Sequence, residues 1–200
     1  MNRIRTLLAF LLLVGLAVPA AAQLSLGDSM PMADRAMLNV DDSNVTTASV
    51  KGANGTVVVF WCNTCPWVKK YEDRVLDLAN TYQAQGFGFI AVNANDMIAY
   101  PGDNFDEMQK AAARKAYPFP YVVDEGSDLA EAYGATRTPH VYVFDANNVL
   151  QYVGAPDDSP SDPGKVETPY LAQALDAIAA GSSIPNAETK AFGCTIKFQE

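Results

Sequence analysis

Residues 57–74, VVVFWCNTCPWVKKYEDR, run from an apolar β-branched stretch straight through two cysteines into a helical pattern. Thr56–Trp61 reads as a strand. Beyond the cysteines, Trp67, Val68, Tyr71, Val75, Leu78, Ala79 and Tyr82 recur at three- and four-residue spacing, which predicts a helix, with Gly86 placed to cap its end. Pro66 suits the first helical turn, where its missing N–H costs little. A strand turning directly into a helix obliges the rest of the chain to supply a sheet beside the one and cover for the other.

The chain supplies both. Further strands are predicted at Gly88–Val92, Phe119–Val123, Val141–Phe144 and Val149–Val153. Helices are predicted at about Asn104–Ala116, with Asn104 as N-cap, at Ser127–Tyr133, and at about Thr168–Ala180, stopped by Gly181. Alternation of this kind predicts an α/β fold, a central sheet covered by helices on both faces. Asp145-Ala-Asn-Asn148 separates the last two strands by a short turn-forming run and reads as an antiparallel hairpin. Residues 23 to about 50 are read as an N-terminal hairpin. Met97–Asp103 reads as a loop, and Ala155–Glu167, with three prolines, as a mobile surface excursion.

The first 22 residues have the pattern of a secretory signal peptide: Arg3 and Arg5, an apolar run from Leu7 to Val18, then Pro19 and three alanines. That run falls short of the roughly 20 residues needed to span a bilayer, so stable membrane insertion is not expected after cleavage. Residues 23–200 are read as one domain, with 182–200 as a C-terminal extension. Removing the leader and its two arginines moves the formal charge from −9 to −11. An acidic chain without a basic face has little to offer nucleic acid or an anionic membrane. Export, to the periplasm in a Gram-negative bacterium and otherwise to the outside, also permits disulfides.

Three cysteines are present, Cys62, Cys65 and Cys194. A cysteine at a helix N-terminus lies beside free N–H groups and the positive end of the dipole, which can lower a thiol from ~8.5 to roughly 3.5–7.5. Cys62 is therefore expected to be the nucleophile, with Cys65, deeper and less exposed, attacking the resulting mixed disulfide. A static Cys62–Cys65 staple would restrain little chain entropy. Zinc lacks a second pair of ligands, whereas two thiolates with His140, the only histidine, would suit Cu(I). His140 follows Thr138-Pro139, a pair suited to a tight turn that could approach the cysteines and present a backbone acceptor. In that arrangement His140 would tune the thiolate or relay a proton.

With these motifs in place, the chain resembles a thioredoxin-like protein of the AhpC/TSA (peroxiredoxin-like, redoxin) superfamily. The resemblance rests on VVVFWCNTCPWVKKYE, FIAVNAND, YPFPYVVDEGSDLAEAYGATRTPHVYVFDANNVLQYVG and the terminal GCTIKF. It implies a thioredoxin fold with a mixed sheet, extra N-terminal residues, an inserted strand–helix unit before Pro139, Cys62 and Cys65 as the dithiol, and Pro139 as a cis-proline. Cys65-Pro66 also imitates a peroxidatic cysteine. The threonine or serine and the proline that should precede it are replaced by Cys62 and Val58, and the peroxide-binding arginine by Pro139, with Arg137 two residues away.

The buried acid of ordinary thioredoxins is replaced by Thr56, which leaves Glu72, Asp124, His140 or water to take the proton of the second thiol. The expectation is thus an exported thiol–disulfide oxidoreductase with no organic cofactor or metal. Its partners would be protein or small-molecule disulfides and a thiol donor, docking on an apolar patch at Trp61, Trp67 and Pro139. Thiol peroxidase and copper carrier are the alternatives. Cys194 is either a plain thiol in a C-terminal strand or a resolving cysteine reaching Cys62 or Cys65.

Overall fold

The computed structural model describes residues 23–199. The leader pattern at 1–22 lies outside the described residues. In chain order the elements are β1 (Met37–Leu38), β2 (Asn44–Val45), β3 (Gly55–Phe60), α1 (Pro66–Gln83), β4 (Phe87–Asn93), α2 (Phe105–Lys115), β5 (Tyr121–Val123), α3 (Asp128–Tyr133), β6 (Arg137–Thr138), β7 (His140–Asp145), β8 (Leu150–Gly154), α4 (Tyr170–Ala179) and β9 (Cys194–Thr195).

The central sheet has the order β5-β4-β3-β7-β8, with β3, β4 and β5 parallel and β7 and β8 antiparallel. This is the mixed, thioredoxin-type sheet that the resemblance implied. Because strand side chains alternate, β3 sends Val57 and Val59 to one face and Val58 and Phe60 to the other. The first face is covered by α1, α2 and α4 through Val68, Tyr71, Val75, Met108, Leu171 and Leu175. The second is covered by Leu129, Ala130 and Tyr133 of α3 and by Met30 and Met37 of the N-terminal segment. Each fully buried large apolar side chain contributes about 1.5–3 kcal/mol. Truncating one at the centre, such as Leu175→Ala, would cost about 2–5 kcal/mol.

The local expectations hold with small shifts of boundary. Asn104 caps α2, its side chain accepting from Glu107 N at 2.9 Å. The hairpin between β7 and β8 turns on Asp145, whose Oδ1 accepts from Asn147 N and Val149 N. Gly86, at a φ of 84°, takes the left-handed turn that brings the chain from α1 into β4. The N-terminal hairpin is present but short, β1 pairing β2 over two residues, and Asn39 then bridges to Val122 on the edge strand β5.

Two loops depart from expectation. Ala155–Asp157 are buried, and the Arg74 guanidinium holds Asp157 and donates to Ser159 O and Pro160 O, so this loop starts as a tethered segment rather than a free excursion. The Met97–Asp103 loop ends in a single 3₁₀ turn, Pro101–Asp103, that buries the side chain of Asp103.

Candidate active site

Where β3 ends, Trp61 N donates to Val92 O at 2.8 Å and prolongs the strand by one residue. Trp61 Nε1 donates to Tyr117 OH, which donates to Glu72 at 2.6 Å. The chain then turns through Cys62-Asn63-Thr64 into α1, whose N-cap is Cys65. Facing this turn is Thr138, joined to Pro139 by a cis peptide bond. Cys62 Sγ lies 3.3 Å from Thr138 Oγ1, and Cys65 Sγ donates to Thr138 O at 3.1 Å. One residue therefore touches both sulfurs. The dithiol and the turn at Thr138-Pro139, distant in sequence, are brought together as expected.

The electrostatics differ from the sequence reading. Cys62 and Cys65 are equally buried, each 2% exposed, so the first cysteine is not the more accessible one. Nor do free N–H groups serve it. The carboxylate of Asp103, which the sequence reading left inside a loop, accepts from Asn63 N at 2.7 Å and Thr64 N at 2.9 Å, and from Thr64 Oγ1 at 2.8 Å. Asn95 Nδ2 donates to the same carboxylate, and Asn93 Nδ2 to the backbone carbonyl of Asp103.

The Cys62 thiol is pushed above the ordinary range by its hydrogen bond to Cys65, by burial and by the negative charge of Asp103. Cys65 is lowered to about 5 because it receives that hydrogen bond, with further help from Cys194 and from the Val68 N–H in the first turn of α1. The two thiols behave as one coupled acid that shares a single proton.

His140 is not part of this arrangement. It is buried on β7 beside Tyr142, its Nδ1 3.4 Å from Tyr142 OH, and burial lowers it to about 4, so it is neutral at pH 7. Its neighbour Val141, not His140, packs on the cysteine face. Arg137 is exposed and donates to Thr195 Oγ1.

Of the other proton acceptors considered, Glu72 is held by Tyr117. Asp124 caps α3 through Leu129 N and Ala130 N. The hydroxyl of Thr56 is buried without a partner. Trp61 and Pro139 are buried rather than displayed. Trp67 is half-buried and packs edge-on against Phe192 at 4.6 Å, bordering a groove of about 410 Å³. Cys194, in β9, packs beside the cysteine cluster.

Asp103 and Tyr121 are the site residues the sequence reading missed, Tyr121 OH donating to Asn63 Oδ1 at 3.0 Å. The available signal for Asp103 was an acid after a Pro-Gly turn, close to the end of β4, where a parallel strand points at the site. Among the described residues no cluster of three or more metal-binding side chains occurs, and no helix is long and apolar enough to cross a membrane.

Residues 25–170 match the family described as Redoxin. Thiol-disulfide oxidoreductase ResA of Halalkalibacterium halodurans is 31% identical over 85 residues, 42% of this chain and 44% of that one. The chain spans about half the length of the curated relatives it matches. Two crystal structures align over nearly the whole chain. An uncharacterized conserved protein from Geobacillus kaustophilus is 38% identical with a TM-score of 0.82, covering 88% of this chain and 93% of that one. A hypothetical protein from Sinorhizobium meliloti is 28% identical with a TM-score of 0.82, covering 89% and 97%.

Proposed function

The chain belongs to the Redoxin family, and we propose that it is an exported thiol–disulfide oxidoreductase that reduces disulfides through Cys62 and Cys65. The observation that carries this reading is the meeting of both sulfurs at Thr138, beside the cis peptide bond. The name of the ResA relatives supports the same chemistry, and the leader pattern supports export, to the periplasm in a Gram-negative cell.

In the reduced protein the two sulfurs share one proton, and Cys65 donates to Thr138 O when it carries it. As Cys62 attacks one sulfur of a client disulfide, its proton passes to Cys65, the client S–S bond breaks and one client thiolate departs. That thiolate takes the proton from Cys65. The restored Cys65 thiolate attacks Cys62 Sγ, the mixed disulfide breaks, and the second client thiolate leaves to be protonated by solvent. Two electrons pass to the client and the protein ends with a Cys62–Cys65 disulfide. Cys65 itself thus does the work assigned elsewhere to a buried acid, and Thr56 need not ionise. Thr138 and Pro139 orient the client sulfur by backbone contact.

Peroxide chemistry draws no support from Arg137, which turns to Thr195 and leaves a developing oxyanion without that donor. Copper loses its third ligand because His140 faces Tyr142.

The test mixes reduced protein with a disulfide-bonded peptide. Cys65→Ser should trap the peptide on Cys62, and Cys62→Ser should trap none on Cys65. Rapid sulfenic acid formation on Cys65 by hydrogen peroxide, with the peptide left untouched, would replace this reading by the peroxidase one.

A further inference from the structure

β9 lies antiparallel on β6, with Thr138 opposite Cys194 and Arg137 opposite Thr195, and Ile196 N donates to Thr136 O at 3.1 Å. The backbone edge next to Pro139, to which the proposed function assigns the client, is therefore already occupied by the C-terminal segment.

That seat is closely built. A Cβ on Gly193 would lie 2.0 Å from Thr138 O and 3.0 Å from Pro139 N, so only glycine permits the approach. Phe192 packs on Trp67, Ile196 is buried, Lys197 N donates to Asn95 Oδ1, and Asp96 N donates to Lys197 O. Within the strand, Cys194 is half-buried against the cluster that contains both other cysteines. It stands opposite Thr138 in the β6–β9 register, and Thr138 O is the acceptor for Cys65 Sγ, which brings Cys194 to the Cys65 side of the site.

We propose that residues 192–198 form an internal pseudo-client, and that Cys194 is a third redox cysteine whose partner sulfur is Cys65. This inference rests on the exchange reading for the place of docking, while the sulfur chemistry stands on the juxtaposition of Cys194 and Cys65 at Thr138. In the oxidised protein the Cys194 thiolate attacks Cys65 Sγ of the Cys62–Cys65 disulfide. The Cys65–Cys194 bond forms, the Cys62–Cys65 bond breaks, and the electron pair leaves on Cys62 as thiolate, which takes up the proton that Cys194 gave to solvent. No external oxidant is required.

The trigger is electrostatic. While the pair is reduced, burial and the Cys65 thiolate hold Cys194 up at about 11, so it stays protonated and inert. Oxidation of the pair removes that negative charge, and Cys194 ionises more readily. The segment then captures Cys65 and frees Cys62, and a client must displace the strand to dock.

The test oxidises the full-length protein with diamide, which takes up the two electrons and two protons of a dithiol. Acid quenching, alkylation and mapping of disulfide-linked peptides by mass spectrometry follow. Wild type should yield both Cys62–Cys65 and Cys65–Cys194 links. Cys62→Ser should lose both remaining thiols into one intramolecular Cys65–Cys194 link. Gly193→Ala should lower the yield of that link at least several-fold and speed mixed-disulfide formation with a peptide client.

Both thiols surviving in Cys62→Ser, or linking only between chains, would overturn the proposal, whatever Gly193→Ala does to the fold. Client reduction by wild type is scored separately. A Cys65–Cys194 link without client reduction would sink the exchange reading and leave the third cysteine standing, and the reverse result would do the opposite.

Discussion

Asp103 grips Thr64 twice, Oδ1 accepting its backbone N–H at 2.9 Å and Oδ2 its hydroxyl at 2.8 Å. The loop between the cysteines is thereby held by a buried negative charge at the place where a helix entrance would ordinarily favour an anion. The loop gains rigidity, and the first sulfur loses the N–H groups that would have stabilised its thiolate.

Asp103→Asn removes the charge while keeping the shape. The Cys62 thiol should fall toward its ordinary range, because the Asp103 charge is one of the causes that push it up. Because an amide cannot accept all the bonds the carboxylate does, stability should also drop by about 1–3 kcal/mol. Thiolate absorbance followed against pH and a urea titration measure the two effects. A Cys62 thiol that does not move would remove Asp103 from the electrostatic argument.

The coupled pair makes its own prediction. Reduced protein should gain one thiolate per cysteine pair with a midpoint near pH 5 and should show no second thiolate in the ordinary cysteine range. Thiolate absorbance in the ultraviolet, followed against pH, reads this directly. Cys62→Ser should move the first midpoint upward, because the hydrogen bond from Cys62 is the largest cause of the lowering. Two midpoints near the free-thiol value would show that the sulfurs do not share a proton.

His140 should act on stability and not on chemistry. Its folded pKa of about 4 lies below the unfolded value, so the unfolded chain binds the extra proton first as pH falls. Its contribution is complete above about pH 6.5 and is lost as pH falls to about 4, a total of about 3 kcal/mol from burial. Urea midpoints should decline over this window in wild type, and the decline should be smaller in His140→Gln. Client reduction at pH 7 should change little in that variant, since the ring faces Tyr142.

The alternating strands and helices, the Asn104 cap and the Asp145 turn were legible because each rests on local rules, namely periodicity, capping and turn chemistry. The meeting of Cys62 and Cys65 with Thr138 was reached through the resemblance together with the proline before a strand. Asp103 was not legible. Its loop reads as polar and exposed, and only the parallel return of β4 beside β3 places it under Asn63 and Thr64. His140 misled for the complementary reason: one residue of strand register decides which face it meets, and proximity in sequence to Pro139 says nothing of that. The pairing of β9 with β6 is of the same long-range kind, so the sequence alone left the place of Cys194 open.

Arg74 offers the last test, at the tethered loop. Its guanidinium lies 4.3 Å from the Tyr71 ring centre, holds Asp157 and donates to the carbonyls of Ser159 and Pro160, while Tyr71 OH donates to Asp157 O. Asp157 is 5% exposed, so removing its cation leaves a buried carboxylate with little to replace the interaction. Breaking one side of a buried pair costs about 3–5 kcal/mol, and the partial exposure of Arg74 places Arg74→Ala toward the low end of that range. The loop should also become a site of proteolytic nicking, because three of the contacts that fix its path share this one side chain. Urea denaturation and limited proteolysis, with cleavage mapped to 158–167, measure both effects. A variant that loses stability without new cleavage in that stretch would show that Arg74 serves α1 and not the loop.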